Sequence, residues 1–238
     1  MADTAQTTEQ SKAIQCVGII LDGNRRWAKM HELKPWQGHE AGVKKMKEVT
    51  GWAIEAKIPY IIGYAFSTEN WSRPQEEVDF LMRVITEAIN TELGWLVEHG
   101  VRVRFIGERS RFAPETADAM KLLEYRTEGH KTITMTFALN YGGRAEILRA
   151  VNKVCVGREN LLAPVTEAEF AAALDTVGIP DPDMVIRTSG EQRLSGFLPW
   201  QTVYSELFFP TVLWPDMTKE IFVGLLEEFH RRHRRFGA

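Results

Sequence analysis

The period of the apolar positions changes back and forth along this chain, and each change marks an element. Cys16-Val17-Gly18-Ile19-Ile20-Leu21 is a short unbroken apolar run, the pattern of a strand covered on both faces. Helical spacing takes over from Gly38 to Lys57, and Tyr60 to Phe66 reads as a second strand. Pro74, well placed at a helix start, opens a long helical stretch to His99, with Gly100 as its stop. Val101 to Ile106 alternates apolar with basic residues as a third strand. Pro114 to Arg126 is helical, Thr132 to Leu139 a strand and Gly143 to Cys155 a helix. Thr166 and Glu169 have capping-box spacing for a helix to about Asp175. Met184 to Ile186 is a short buried strand after the turn Pro180-Asp181-Pro182, and a last helix spans Thr218 to Arg235 before Gly237. Strands alternating with helices predict an α/β domain, a central mostly parallel sheet flanked by helices. No repeat, low-complexity tract or Gly/Ser-rich linker interrupts it, so residues 14–238 read as one domain and residues 1–13 as a loose tail.

Composition changes this picture little. The 238 residues are 44% hydrophobic and 26% charged, an ordinary soluble balance that argues against disorder and fibrous classes. A formal charge of −3 gives no global drive toward nucleic acid, so basic sites must be local, as at Arg25-Arg26 and Arg231-Arg232-His233-Arg234-Arg235. Cys16 and Cys155 lack metal-ligand spacing and are expected to be buried free thiols in a reducing compartment. No apolar stretch approaches the ~20 residues of a membrane span, and the polar start lacks a signal-peptide pattern. The expected location is cytoplasmic.

The chemistry sits where strands end. In a parallel sheet, ligands collect beyond the carboxyl ends of the strands. There the chain places Asp22-Gly23-Asn24-Arg25-Arg26-Trp27, then Ser67-Thr68-Glu69-Asn70-Trp71-Ser72-Arg73, Asn140-Tyr141-Gly142-Gly143-Arg144, and Arg187-Thr188-Ser189-Gly190-Glu191-Gln192-Arg193-Leu194-Ser195. In the first segment glycine lets backbone approach a ligand, a helix starting near Asn24 offers N–H groups, and the arginines fork onto phosphate oxygens. Asp22 would repel a phosphate unless a divalent cation lay between them, which suggests a magnesium-assisted diphosphate site. Taken alone, the segment fits a solvated turn with Asp22 as a helix cap equally well. The other junctions also have plain readings: Ser67 or Asn70 as a cap, Gly142-Gly143 as a tight turn, Arg187 paired with Glu191. Together, Arg26, Arg73, Arg187 and Arg193 on one rim call for a ligand carrying several negative charges. The Walker loop, the dinucleotide glycine fingerprint, H-E-x-x-H and the nucleophile elbow are all missing from the sequence.

At this point six ordered motifs bear a resemblance. They are Asp22-Gly-Asn-Arg-Arg-Trp27, Gly38-His39-x-Ala-Gly42, Tyr64-Ala-Phe-Ser-Thr-Glu-Asn-Trp-x-Arg-Pro74, Asn140-Tyr-Gly-Gly-Arg144, Ile186-Arg-Thr-Ser-Gly-Glu191 and Arg235-Phe-Gly237. From about Cys16 to Gly237 the chain resembles the cis-prenyltransferases, the undecaprenyl diphosphate synthase family. The resemblance implies one α/β domain with a hydrophobic tunnel beneath the rim, a homodimer, and head-to-tail condensation of isopentenyl diphosphate onto an allylic diphosphate, farnesyl diphosphate being the expected primer. It implies that the new double bond is Z, with undecaprenyl diphosphate, a cell-wall lipid carrier precursor, as the expected product.

Residue by residue, the resemblance makes Asp22 the Mg2+ ligand that assists departure of the allylic diphosphate. Gly23, Asn24, Arg25, Arg26 and His39, with Trp27 beside them, would hold that group. Arg187, Arg193, Leu194 and Ser195 form the expected isopentenyl diphosphate clamp, and Glu206 a second magnesium contact reached from the partner subunit. Ser67, Thr68, Glu69, Asn70, Trp71 and Arg73 would close over the reacting carbons, with Asn70 positioned for the proton lost at C2. Arg235 and Gly237 match an Arg-x-Gly element that reaches the site across the dimer. The chain departs from the family pattern at Arg25, where many bacterial members carry glycine, at Pro35-Trp36, where many have an arginine, and at Gln192, where a metal-linked histidine is common. Ala65, small and beside the expected tunnel entrance, favours a medium or long product over a short one, and a short-chain or branched Z-prenyl diphosphate is the alternative product within the family. Apolar residues of the helix after Pro74, such as Phe80, Leu81, Met82, Ile85, Leu93 and Trp95, fit either ordinary core or tunnel lining.

Two readings from other classes stay open. One is a non-catalytic subunit of the same fold; Asp22, Asn70, Arg187 and Arg193 argue against it because such a subunit could dispense with them. The other is a nucleic-acid or membrane surface on the basic last helix, although cations at a helix end complement its dipole and need no partner. A transient membrane contact for release of a greasy product also stays open.

Overall fold

A computed structural model describes residues 13–156, 158 and 163–232. Its centre is a six-stranded sheet of β1 (Cys16–Ile20), β2 (Tyr60–Ser67), β3 (Val101–Ile106), β4 (Ile133–Tyr141), β5 (Met184–Arg187) and β6 (Glu206–Phe208). The order is β3-β4-β2-β1-β5-β6 and every neighbouring pair is parallel. The connecting helices are α1 (Asn24–Met30), α2 (Pro35–Glu55), α3 (Gln75–Thr91), α4 (Leu93–Glu98), α5 (Pro114–Thr127), α6 (Gly143–Val156), α7 (Glu167–Ala173) and α8 (Lys219–Arg231). The predicted α/β class and single domain thus describe the molecule.

Strand period assigns the two sheet faces. Val17 and Ile19 join one core cluster with Met46, Ile61, Leu81, Met135 and Phe222, whereas Cys16, Ile20, Ile62, Tyr64 and Val185 join a second with Phe197 and Leu198. Along β2 the residues on the first face include Gly63 and Ala65, and Ala65 is exposed although it lies within a central strand. That exposure opens into a cavity under the rim, described below.

The structure corrects several sequence expectations. The stretch from Pro74 to His99 is two helices that meet at Glu92, where the run Asn90-Thr91-Glu92-Leu93-Gly94 holds weak helix formers. Pro74 itself (φ −49°, ψ 137°) precedes α3 as its cap residue. The three-residue strand β6 was too short to show a period. Cys16 is buried, but Cys155 is exposed, because α6 buries Gly143, Glu146 and Ala150 and leaves its last turn outward. Arg187 pairs with Asp22 and not with Glu191, which bonds Arg193 instead. The expected tail lies almost entirely outside the described residues, as do Arg235, Gly237 and most of the basic C-terminal cluster.

Candidate active site

The rim is assembled around Asp22, two residues beyond β1. Its backbone is fixed by the fourth junction: Asp22 N–H donates to Thr188 Oγ1 (3.0 Å), the Thr188 hydroxyl donates to Asp22 O (2.6 Å), and Trp214 N–H donates to the same oxygen (3.0 Å). Gly23 follows at φ 109° with the backbone of Leu213 against it, so the turn admits only glycine without strain. α1 then packs on α2 through Gly38 and Gly42, one turn apart. A Cβ on either would run into Asn24, which explains the spacing of the Gly38-His39-x-Ala-Gly42 motif.

Arg187 is 5% exposed and does the joining. Its Nη2 reaches Asp22 Oδ2 at 2.8 Å, while Nη1 donates to Arg193 O (2.6 Å) and Ser195 Oγ (2.8 Å), so one guanidinium ties β1 to the loop after β5. Arg26 donates to Ser189 Oγ (2.5 Å) and lies 3.7 Å from both Asp22 Oδ1 and Glu191 Oε1. On the other side, Glu77 gathers Arg73 (3.0 Å), Arg25 (3.8 Å) and His39 Nε2 (3.7 Å). Five arginines, at positions 25, 26, 73, 187 and 193, thus share three carboxylates, Asp22, Glu77 and Glu191, which leaves two positive charges in excess. Burial, and next the Arg73 guanidinium, push the His39 imidazole down to about 4, so the ring is neutral at neutral pH. Its Nε2 is buried without a hydrogen-bond partner, an orphan group at the mouth of a cavity.

Not every expected site residue faces the rim in the same way. Ser67 N–H donates to Asn70 Oδ1 (3.0 Å), closing a short 3-10 turn over Thr68–Ser72. Trp71 packs into the core against Phe66 and Phe112 and donates to Asn140 Oδ1 (2.7 Å), so it couples the second and third junctions. Thr68 lies against Gly142 and does the same. Glu69 is exposed. Trp27 donates to Asp216 Oδ1 (2.6 Å) and Leu194 packs into the second core cluster. Glu206 begins β6 opposite Met184, which is in register with Val17, so within one chain it sits several residues down the sheet from Asp22. There it binds Arg232 Nη1 at 3.0 Å. The sequence gives Thr188 and Ser189 a place in the fourth junction but no role of their own, and it does not single out Glu77, which carries a usable signal, since it lies four residues after Arg73 at the start of a predicted helix.

Beneath the rim, between α2, α3 and the sheet, lies a cavity of about 140 Å³. Ala65, Met46, Leu81, Ile85, Ile89, Phe137 and Trp214 line it, with Asn24 and His39 at its rim end. The site therefore joins a cationic mouth to an apolar hole, the complement of a molecule with an anionic head and a hydrocarbon tail.

The family model "Putative undecaprenyl diphosphate synthase" matches residues 20–237. This chain belongs to the undecaprenyl diphosphate synthase family. An isoprenyl transferase of Thermus thermophilus is 46% identical over 230 residues, 93% of this chain and 88% of that protein. The isoprenyl transferase of Helicobacter hepaticus is 43% identical, over 94% of this chain and 97% of its own length. Among solved structures, lavandulyl diphosphate synthase from Lavandula x intermedia, in complex with dimethylallyl diphosphate, superposes with a TM-score of 0.91 at 33% identity, covering 95% of this chain and 99% of that one. A "probable undecaprenyl diphosphate synthase" from Campylobacter jejuni does so with a TM-score of 0.80 at 30% identity, covering 95% and 100%. As a cis-prenyltransferase the chain is a transferase, and the amphipathic site is of the kind its prenyl chemistry requires. No helix among the described residues is long and apolar enough to cross a membrane.

Proposed function

We propose that this chain condenses isopentenyl diphosphate onto farnesyl diphosphate, repeatedly, to give a Z-polyprenyl diphosphate, with undecaprenyl diphosphate for lipid-carrier supply as its product. The observation that carries this reading is the juxtaposition of a rim with two excess positive charges and an apolar cavity entered past Asn24 and His39. The allylic diphosphate lies along Gly23, Asn24, Arg25, Arg26 and His39, its tail in the cavity. The second diphosphate lies on Arg187, Arg193 and Ser195. As the allylic C–O bond breaks, negative charge grows on the departing diphosphate and positive charge on the allylic carbon, so the arginines stabilise one end and the apolar walls keep water from the other. The C4–C1 bond forms and a proton leaves C2 of the isopentenyl unit beneath the Asn70 loop.

Asp22 is a fitting magnesium ligand, because that ion binds through one or two carboxylates together with substrate phosphates and water, and Asp22 is the rim carboxylate nearest β1. Bound there, Mg2+ supplies Lewis-acid stabilisation of the leaving diphosphate. Among the described residues no cluster of three acidic, His or Cys groups forms a site of its own, which fits an ion that arrives with the substrate. We further propose a homodimer. The edge strand β6 and the exposed Val203 (67%) and Tyr204 (74%) before it support that reading, as surfaces a second copy would cover.

Incubating the purified protein with Mg2+, isopentenyl diphosphate and farnesyl diphosphate, then sizing the products, tests the proposal. A ladder ending at eleven isoprene units is expected. No consumption of isopentenyl diphosphate would overturn the reading, and a single short product would overturn the chain length. Arg187→Ala should raise the isopentenyl diphosphate KM; an unchanged KM would remove Arg187 from the clamp.

A further inference from the structure

The loop that presents Ser195 is held in a conformation its sequence does not favour. Ser195 (φ 49°) and Gly196 (φ 79°) are both left-handed, at the centre of a turn that Phe197 N–H closes onto Leu194 O at 3.0 Å. Such a turn suits Gly, Asn and Asp, so Ser195 stays there only because its surroundings hold it. Three groups do so. Arg187 Nη1 donates to Ser195 Oγ at 2.8 Å, Gly143 N–H donates to Gly196 O at 2.8 Å, and the Tyr64 hydroxyl lies 3.4 Å from Ser195 O and 3.1 Å from Tyr141 O. Gly143 must be glycine for this, since a Cβ there would fall 2.1 Å from Pro199 Cδ and 2.6 Å from Gly196 O. The Tyr64 ring stacks on Phe197, with 5.0 Å between centroids, and meets Tyr141 edge-on. Burial, and next the Glu69 carboxylate, push the Tyr64 phenol well above its ordinary range, so the hydroxyl keeps its proton and donates at neutral pH. Tyr141, Gly142 and Gly143 are buried, and the third junction thereby serves as the floor of the loop after β5.

We propose that Tyr64 is a positioning residue for the isopentenyl diphosphate clamp: its hydroxyl, braced by the third junction, holds Ser195 in the left-handed turn from which Oγ meets Arg187 and the second diphosphate. The proposal rests on the prenyltransferase reading above and adds a residue that acts on one substrate without touching it. Without the hydroxyl, Ser195 relaxes toward ordinary backbone and carries Oγ away from Arg187, so the guanidinium loses a contact that sets its angle. The loss falls on one substrate, because the turn belongs to the site of the second diphosphate, whereas the allylic diphosphate lies along the first junction and His39.

Tyr64→Phe keeps both ring contacts and removes only the hydroxyl. With the full-length protein, Mg2+ and both diphosphates, it should raise the isopentenyl diphosphate KM about fivefold, with kcat and the farnesyl diphosphate KM within about twofold of wild type. A purely structural loss would lower the folded fraction, which reduces kcat and leaves both KM values alone. Ser195→Ala should raise the same KM, and adding Tyr64→Phe to it should raise it no further, because a residue that acts through Ser195 then has nothing left to position. An unchanged isopentenyl diphosphate KM in Tyr64→Phe would overturn the positioning role. So would an equal rise in both KM values, or full additivity with Ser195→Ala. A wild-type protein that consumes no isopentenyl diphosphate would instead overturn the underlying reaction, and this role with it.

Discussion

The two faces of the sheet solve different problems with the same strands. On the face of α6 and α7, polar groups are buried and stitched together. Glu146, 1% exposed, accepts from the Tyr141 hydroxyl (2.5 Å), Gln201 Nε2 (3.1 Å) and Asp175 N–H (3.0 Å). The Tyr64 hydroxyl donates to Tyr141 O and Ser195 O, and its ring stacks on Phe197. On the opposite face, α2, α3, α4 and α5 pack through aliphatic side chains that leave a hole. Directional bonds fix a loop that must present Ser195 to Arg187, whereas non-directional apolar walls accept a tail whose length changes with each turnover. The difference teaches that rigidity here belongs to the head-group side and adaptability to the tail side.

The sharpest way to break that comparison is at the seam. Asp22→Asn keeps an acceptor for the buried Arg187 and removes the charge that would hold magnesium. It is expected to lower kcat about a thousandfold with little change in urea midpoint, measured by steady-state kinetics beside equilibrium unfolding. Asp22→Ala is the poorer test, because it also strands a guanidinium that is 5% exposed.

On the stitched face, Glu146→Ala leaves three donors without their acceptor and should cost about 4 kcal/mol in urea unfolding, with specific activity per folded molecule nearly retained. A loss below about 1 kcal/mol would show that the network is not what holds the face.

On the open face, stability should depend on pH through His39. Its folded value near 4 lies below the ordinary 6.5, so only the unfolded chain takes up a proton between these values. Stability is then fully present above about pH 6.5, falls as pH drops toward 4, and flattens below, a change of about 3 kcal/mol. His39→Asn should abolish that slope in a series of unfolding curves, and a slope that persists would assign it to another group.

A small stability effect is expected at Ala65→Phe, which fills cavity space. Stability should move by about 1 kcal/mol or less, while product sizing should show shorter chains.

How much of this was legible beforehand depends on the range of the interactions. Periodicity reports what a residue does to its own element, so β1 to β5 and most helices were readable, and Thr166 caps α7 as its spacing with Glu169 requires. The joint at Glu92 was not readable, because scattered weak helix formers such as Asn90, Thr91 and Gly94 are tolerated within helices and the Glu92 carboxylate turns to Lys47, a residue 45 positions away. The cations of the rim were readable as a group, but their pairing was not. Asp22 and Arg187 are separated by 165 residues, and only the parallel register of β1 with β5 brings them together. Likewise the hydrogen bond from Trp71 to Asn140, a partner from another strand end, was not readable.

The sequence by itself determined the α/β class, the order of β1 to β5 and most of the helices between them, the turn chemistry at Gly23 and the set of charged residues carried to strand ends, because each follows from local sterics and from burial at a period of 2 or 3.6. Tertiary structure alone decided which charges neutralise one another, that two positive charges remain over at the rim, and that the small Ala65 on a central strand leaves an apolar cavity with a polar group at either end. Those are properties of distances between elements, and electrostatic and packing energies depend on distances that no stretch of sequence contains.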